Sequence, residues 1–362
     1  VRGSGRVVKP SRAILLAGLL AIVAAEIGLR VLTSADSRWN VRLGAAREFD
    51  PIAGFRNKPG YELAPGIRTN ALGYQAPQPL RVAPPSGVRR AIFLGDSNSV
   101  MPTIGAYPQQ VEALLDAELP GEIEVVNAAV PGYSSDNARN LFEHELSRFE
   151  GDYFFVYLGW NDLGQFGPEG LPYKRQATGY QVTPVQRVLS SIYLLRYAFL
   201  MPSMLDRERE TFDRPLDARE QKIYGDYRPT HFERNLRQIL SLAKRRYPHV
   251  FVMNLATITN ADPTPSELQR AHFPRGMGKN MRKLDLLVRH YNDSVAVVAR
   301  EQGVSLIDLH AAFDSREARE TFTDSCHMNR AGAARVARLI ADEIGALEQT
   351  RVRDLARPAA DS

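Results

Sequence analysis

The chain has a single cysteine, Cys326, among 362 residues. A lone thiol forms no intramolecular disulfide and supplies no cysteine cluster for a metal, so cysteine usage gives no sign of an oxidising compartment. It also lies far from the N-terminus, which excludes lipid attachment at a leading cysteine. The histidines His144, His231, His249, His272, His290, His310 and His327 are scattered, and none forms a metal-spaced pair such as H-E-x-x-H. Asp308-Leu-His310 comes nearest and reads as structural. There is no internal repeat and no low-complexity tract. The net charge of +5 is not gathered into a basic stripe, so no nucleic-acid partner is expected. No cofactor is expected either.

What is present begins with an ordinary globular balance, 44% hydrophobic and 24% charged. The N-terminus departs from it. Arg2, Arg6, Lys9 and Arg12 lead into an apolar stretch, 13–32, whose opening run Ala13–Ala25 carries no charge. Twenty residues of helix rise about 30 Å, one hydrocarbon thickness. Residues 13–32 are therefore expected to be a transmembrane helix or signal anchor behind a basic cytoplasmic N-terminus, 1–12. Glu26 and Arg30 are spaced to pair on one helix face, near the outer end where snorkelling lowers their cost. Ala24 and Ala25 leave a cleaved signal peptide as an alternative, and a buried helix is a third. Arg38, Arg42 and Arg47 follow, so the positive-inside contrast is small. A basic-led N-terminal segment places the rest of the chain outside the cytoplasm.

Residues 33–87 carry Pro51, Pro59, Pro65, Pro77, Pro79, Pro84 and Pro85, which interrupt any long element. An irregular lead-in is expected there. From 88 to 348, short apolar runs alternate with helical spacing. The runs are Ala91–Leu94, Ile123–Val126, Tyr153–Leu158, Val250–Asn254 and Val304–Asp308. Helical spacing covers Gln109–Leu119, Asp136–Phe149, His231–Tyr247, Met281–Gln302 and Ala331–Leu347. Such alternation means buried parallel strands with crossover helices. The fold class is α/β, a three-layer α/β/α sandwich with a parallel sheet of about five strands. Residues 163–230 interrupt the pattern and are rich in Tyr, Arg and Pro; a connection of that length reads as a lid or inserted subdomain. The tail, 349–362, is expected to be flexible.

Ligands of an open parallel sheet bind at the carboxyl ends of the strands. The first run leads into Gly95-Asp96-Ser97-Asn98-Ser99, the second into Asn127-Ala-Ala-Val-Pro-Gly132, and the third into Gly159-Trp160-Asn161-Asp162. The fifth is followed by Phe322-Thr-Asp324-Ser-Cys-His327-Met-Asn329. These groups suit acyl transfer. A serine hydroxyl is a poor nucleophile until a base takes its proton, and the imidazole of His327 titrates near neutrality. Asp324, three residues earlier, can accept from one ring nitrogen on a tight turn or helix start and leave the other to Ser97. The amides of Ser97 and Gly132 and the side chain of Asn161 supply donors for a tetrahedral oxyanion. Gly95 allows a sharp turn at the strand end.

Each motif alone is an ordinary turn or cap. Their order, each at its expected strand end, carries the assignment. Asp96 reads as a capping or supporting residue, Asp162 as a brace for the Asn161 loop, and Cys326 as a small buried side chain. The tyrosines of 163–230, among them Tyr173, Tyr180, Tyr193, Tyr197, Tyr224 and Tyr227, suit sugar stacking and lid packing equally.

On these blocks the chain resembles the SGNH family, also called GDSL-type esterases and lipases, over about residues 88–348. Ser97 matches the family nucleophile, Gly132 and Asn161 its oxyanion residues, and His327 its base with Asp324 three before it. Asn329 and Gly332 match the usual continuation. Thr69-Asn70-Ala-Leu-Gly73-Tyr74 resembles a lead-in of membrane-anchored bacterial members. Two positions depart. Asn98 replaces the leucine of the GDSL name, and Ala129 stands where many members have a glycine before the oxyanion glycine. The resemblance implies a flavodoxin-like sandwich and an ester hydrolase of the periplasm, anchored in a bacterial inner membrane or secreted after signal cleavage. It implies hydrolysis of O-acetyl or other acyl esters through an acyl-enzyme on Ser97. The substrate would be an acylated carbohydrate, such as a cell-envelope polysaccharide, or a lipid ester. An O-acyltransferase with the same triad, and a catalytically silent carbohydrate-binding protein, stay open, because a triad does not encode its acceptor.

Overall fold

The computed structural model describes residues 12–33, 46–64, 66–77, 79–100, 106–163, 192, 194, 214–260, 262–274 and 279–356. They fall in two units, Val1–Ala45 with Val182–Arg207, and Ala46–Gln181 with Glu208–Ser362. In the first unit a single helix, α1 (Arg12–Thr33), runs unbroken through the apolar stretch. Ile14, Leu16, Leu19, Leu20, Ile22 and Ile27 are each at least 56% exposed. Glu26 accepts a hydrogen bond from the Leu194 amide at 2.9 Å; its pairing with Arg30 lies outside the described residues. Among the described residues no helix is long and apolar enough to cross a membrane. The helix expected over 13–32 is formed, while the span expected of it is not found.

In the second unit the lead-in is more regular than its prolines suggest. Strands β1 (Arg47–Asp50) and β2 (Gly54–Asn57) form one antiparallel hairpin, and β3 (Glu62–Ala64) and β4 (Ile67–Arg68) another. Pro51 and Pro59 fall in the connections between these strands, where a missing N–H costs nothing. Asp50 closes the first turn by accepting the amides of Ile52 and Ala53 at 2.9 and 2.7 Å. The first hairpin is tied to the main body. Tyr133 Oη donates to the Phe55 carbonyl at 2.7 Å, Asn137 Nδ2 to the Ala53 carbonyl at 2.7 Å, and Asn57 Nδ2 to the Ala129 carbonyl at 3.0 Å.

The five expected parallel strands are β5 (Arg89–Gly95), β6 (Ile123–Asn127), β7 (Tyr153–Tyr157), β8 (His249–Met253) and β9 (Ser305–Ile307). Their spatial order is β6-β5-β7-β8-β9. Helices α2 (Tyr107–Glu118), α3 (Ser135–His144), α4 (Trp160–Leu163), α5 (Ala218–Gly225), α6 (Thr230–Lys244), α7 (Pro265–Arg270), α8 (Met281–Gln302), α9 (Leu309–Ala312), α10 (Arg316–Arg319) and α11 (Arg330–Ala356) complete the unit. Helix α2 packs with α11, and α3 with α6 and α6 with α8. Register fixes the core chemistry. Phe93, Phe155 and Phe251 are cross-strand partners, and their rings stack at 4.7 and 4.8 Å. The alternate residue Phe154 stacks on Phe142 and Tyr247. Strand β5 lies between β6 and β7, so the chain reverses its direction across the sheet there, and the crevice of such a sheet opens at the carboxyl end of β5.

Three boundaries differ from expectation. Helix α3 stops at His144, and a short 3₁₀ turn, Leu146–Arg148, follows, because Glu145 turns inward to Tyr74 Oη at 2.5 Å. Helix α11 runs to Ala356, so the tail is not loose from 349. Glu348 is 4% exposed and pairs with Arg89 Nε at 2.7 Å, which fixes the helix where the tail was expected to begin. In the long connection, α5 lies within 163–230. Tyr224 is buried under Lys283, and Tyr227 stacks on Tyr291; these two rings pack against α8. Tyr173, Tyr180, Tyr193 and Tyr197 lie outside the described residues.

Candidate active site

The carboxyl end of β5 forms an elbow. Asp96 Oδ1 accepts the Asn98 amide at 2.9 Å and caps a 3₁₀ turn, Ser97–Ser99. Asn98 and Ser99 turn inward and are buried, while Ser97 stays half-buried at the rim. Gly95 is needed for space and not for a left-handed backbone. A Cβ there would lie 2.4 Å from Ser99 Oγ and 3.2 Å from the Tyr157 carbonyl. The second block is fastened to this elbow, with the Val130 amide donating to the Gly95 carbonyl at 3.1 Å. Its Gly132 has φ +92°, a conformation that favours glycine.

Asp324 and His327 arrive on a closed loop between α10 and α11. The loop is pinched by a Phe322–Met328 bridge and by the Thr323 amide donating to the His327 carbonyl at 2.7 Å. Asp324 Oδ1 accepts the amides of Cys326 and His327 at 2.9 and 2.8 Å. That leaves Oδ2 for His327 Nδ1 at 2.7 Å. His327 Nε2 is 2.8 Å from Ser97 Oγ. The three expected side chains thus form one hydrogen-bonded chain, linking residues 230 positions apart in sequence. Asn329 and Gly332 have structural work. Asn329 Oδ1 accepts the first amides of α11, from Ala331 and Gly332, and a Cβ on Gly332 would lie 2.9 Å from the Thr321 carbonyl.

Asn161, on α4, approaches the same edge. Its Nδ2 donates to the Tyr133 carbonyl at 3.0 Å and to Asp96 Oδ2 at 3.2 Å, so both of its hydrogens are engaged. Asp162 clamps the third block to the second, accepting the Ser135 hydroxyl at 2.6 Å and the Ser135 amide at 2.9 Å.

Electrostatics follow from burial. Burial pushes the Asp324 carboxyl up, but the hydrogen bond and charge of His327 and two backbone amides outweigh it and bring it down to about 2. Burial pulls His327 down, and the Asp324 hydrogen bond and charge, with Asp96, more than restore it; the imidazole ends above its ordinary value. Asp96, 1% exposed, is raised by burial to about 6 despite donors from Asn98 and Asn161 and the charge of His327. Asp162 is raised by burial to about 7. Cys326 is buried, with its thiol pushed up well beyond the usual range. Asp324, Cys326 and His327 offer ligand atoms within 4.8 Å of one another. The His327–Asp324 bond and the protonated thiol already account for that closeness.

The pattern of the GDSL-like lipase/acylhydrolase family matches residues 93–335. The chain belongs to this family. It is an ester hydrolase of the SGNH type, with the five-stranded parallel sheet expected of one. No curated protein sequence matches the chain. Solved structures match at low identity. The acetyl xylan esterase AlAXEase is 16% identical, with a TM-score of 0.44, over 70% of this chain and 99% of its own. The acetylxylan esterase of Geobacillus stearothermophilus is 16% identical, with a TM-score of 0.42, over 74% and 97%. The lipase/acylhydrolase of Enterococcus faecalis is 15% identical, with a TM-score of 0.42, over 71% and 95%.

Within this acylhydrolase, two supports escaped the sequence reading. Helix α7 braces the loop that carries Asp324 and His327. Glu267, fully buried, receives Arg319 Nε at 2.7 Å, and Arg270 Nη1 donates to the Phe322 carbonyl at 2.5 Å. Its signal was legible, since Thr264-Pro265-Ser266-Glu267 is a capping box with proline at the first helical position. The other is Arg47 of β1, whose guanidinium packs against Gly132. A lone arginine ahead of the family blocks offers no pattern.

The shifts set a pH dependence. A histidine acting as base must be unprotonated, so kcat/KM is expected to fall about tenfold per pH unit below the His327 pKa. Asp324 raises that pKa, so the acid limb should lie above the ordinary histidine value of about 6.5. Asp324 itself stays ionised to about 2 and adds nothing in that window. A kcat/KM profile on an aryl acetate checks this, and a flat profile down to pH 5 would remove His327 as the base.

Proposed function

We propose that this acylhydrolase works through an acyl-enzyme on Ser97, with Asp324 and His327 completing the triad. We further propose that it removes O-acetyl or other short acyl groups from a carbohydrate, such as a cell-envelope polysaccharide. The observation that carries the mechanism is the unbroken run of contacts from Ser97 Oγ to His327 Nε2 at 2.8 Å and from His327 Nδ1 to Asp324 Oδ2 at 2.7 Å. His327 takes the hydroxyl proton as Oγ bonds to the ester carbonyl carbon. The oxygen that becomes negative is met by the amides of Ser97 and Gly132. Asn161 joins by sharing one of the hydrogens it gives to Tyr133 and Asp96. The C–O bond to the alcohol then breaks, and the alcohol leaves with the proton from His327. Water, deprotonated by His327, attacks the acyl-serine, and the carboxylic acid departs as Oγ regains its proton.

The test is incubation of the full chain with an aryl acetate and, separately, with a fluorophosphonate. Turnover together with a covalent adduct on Ser97 is expected. Neither signal would leave the fold without the chemistry and favour a silent binding protein. Transfer to an added sugar faster than hydrolysis would make the acceptor a hydroxyl rather than water.

We place the catalytic unit outside the cytoplasm, held at the inner membrane by residues 13–32. The exposed apolar side chains of α1 support a lipid setting, since such a surface in water is costly. A C-terminal reporter that requires export is expected to be active; one active only in the cytoplasm would reverse the orientation.

A further inference from the structure

Helices α3 and α6 pack side by side, and a groove of about 760 Å³ lies between their C-terminal halves. Arg139, Arg237, Arg245 and Arg246 line it, with Glu143 as the single carboxylate of the lining. Arg237 is neutralised from outside, by Glu301 at 2.7 Å and Glu233 at 3.4 Å. The other three arginines meet no acid among the described residues. Arg139 gives its Nη groups to the neutral acceptors Gln238 Oε1 and Asn140 Oδ1, each at 3.0 Å. Arg245 gives Nη1 to Ser241 Oγ at 3.1 Å. Arg246 has no side-chain hydrogen bond or ion pair among the described residues. Arg245 and Arg246 are both exposed, so the open guanidinium forks are theirs, while half-buried Arg139 adds charge. Helix capping does not explain them. A cation that serves a helix C-terminus gives its hydrogens to the last carbonyls, as Lys244 does to Gln302 at the end of α8. The side chains of Arg245 and Arg246 give none to a carbonyl.

We propose that this groove is a docking site for an acidic polysaccharide, held apart from the triad by its carboxylates. Guanidinium forks match carboxylates in two parallel hydrogen bonds. Gln238, Ser241 and Arg245 follow one another on a single stripe of α6, three and four residues apart, and Asn140 and Ser147 face them from the other side of the groove. Charge therefore alternates with neutral groups that suit sugar hydroxyls. Other polyanions fit less well. Single-stranded nucleic acid is held largely by stacking on aromatic rings, and the one aromatic residue of the lining, Phe142, is buried. A bilayer is entered by exposed apolar side chains, and the lining has no exposed large hydrophobic residue. The proposal rests on the carbohydrate reading above for the sugar alone and takes the acidity from the groove itself.

Binding of a polygalacturonate fragment to the full chain, against the same fragment methyl-esterified, reads the carboxylates directly. The free acid is expected to bind about tenfold or more tightly, the size of a charge-assisted contact, and to weaken as salt rises. Arg245→Gln/Arg246→Gln should remove most of that ratio. Arg335→Gln/Arg338→Gln, an equal loss of charge at exposed positions of α11, should keep it. Neither variant touches the triad, so turnover of an aryl acetate should be the same in both. Equal binding of the two fragments overturns the proposal. So does a ratio that survives Arg245→Gln/Arg246→Gln, or one that falls equally in the α11 variant. An oligothymidylate bound as tightly as the free acid overturns it as well. A preference for phosphatidylglycerol over phosphatidylcholine vesicles that Arg245→Gln/Arg246→Gln removes, with no polygalacturonate bound, gives the groove to a membrane and also overturns it. Absent turnover with Ser97 unlabelled strikes the acyl-enzyme assignment alone, because the groove is read by binding without chemistry.

Discussion

Ser97→Ala is expected to lower kcat on an aryl acetate by about 10⁵–10⁶, the scale on which loss of a triad serine acts, and to abolish the fluorophosphonate adduct. The magnitude follows from what Oγ does. In the proposed mechanism it forms and then breaks the covalent bond to the acyl carbon, and the family blocks supply no second hydroxyl at the elbow with the same reach to His327. Ser99 is turned inward to Tyr107 at 2.8 Å and is fully buried. The substitution should leave the fold alone. The 3₁₀ turn is capped by Asp96 rather than by Ser97, and Ser97 Oγ is bonded to His327 Nε2. An unchanged unfolding midpoint beside lost turnover is therefore expected. A loss smaller than about tenfold would put the nucleophile elsewhere.

Asp324→Asn is expected to cost about 10⁴ in kcat with little change in KM, as in a triad whose histidine is held in the wrong tautomer. Asp324 Oδ1 is committed to two backbone amides, so an asparagine would keep its oxygen there and turn its NH₂ towards His327 Nδ1. The imidazole would then carry its proton on Nε2, facing Ser97, and could not accept one. A second readout separates this from loop damage. Asp324 raises the His327 pKa, so removing its charge should move the acid limb of whatever activity remains to lower pH. An unmoved limb, or a loss below about tenfold, would make Asp324 a loop cap only.

Much of the fold was legible because its signals are local. Five apolar runs mark the strands, and Met281–Gln302 forms one helix with the predicted ends, since Asn280 caps its start and Gly303, at φ +58°, its finish. The candidate site was legible as an arrangement because an open sheet gathers its strand ends, so Ser97, Gly132 and Asn161 needed only their order. The misses share one cause. Strands β1 to β4 are two to four residues long, too short for a period, and the β1–β2 hairpin is fastened by bonds to Tyr133, Asn137 and Ala129. Glu348 of α11 is held by Arg89, which is far apart from it in sequence. Gly95 was read as a turn residue from local rules, and only the packed structure shows Ser99 and Tyr157 filling the space beside it.

The attachment of the β1–β2 hairpin to the Gly132 loop also affects how this enzyme can be cut and how it can diverge. A fragment begun where the strand–helix alternation starts, near residue 88, would keep Ser97, Asp324 and His327 and lose the hairpin bonded to the loop of Gly132. The sheet presents the candidate triad, whereas residues 46–57 are a separate stretch of chain bonded to Tyr133, Asn137 and Ala129. Divergence there is constrained, because Ala53 and Phe55 are buried and Asn57 is bonded to the Ala129 carbonyl.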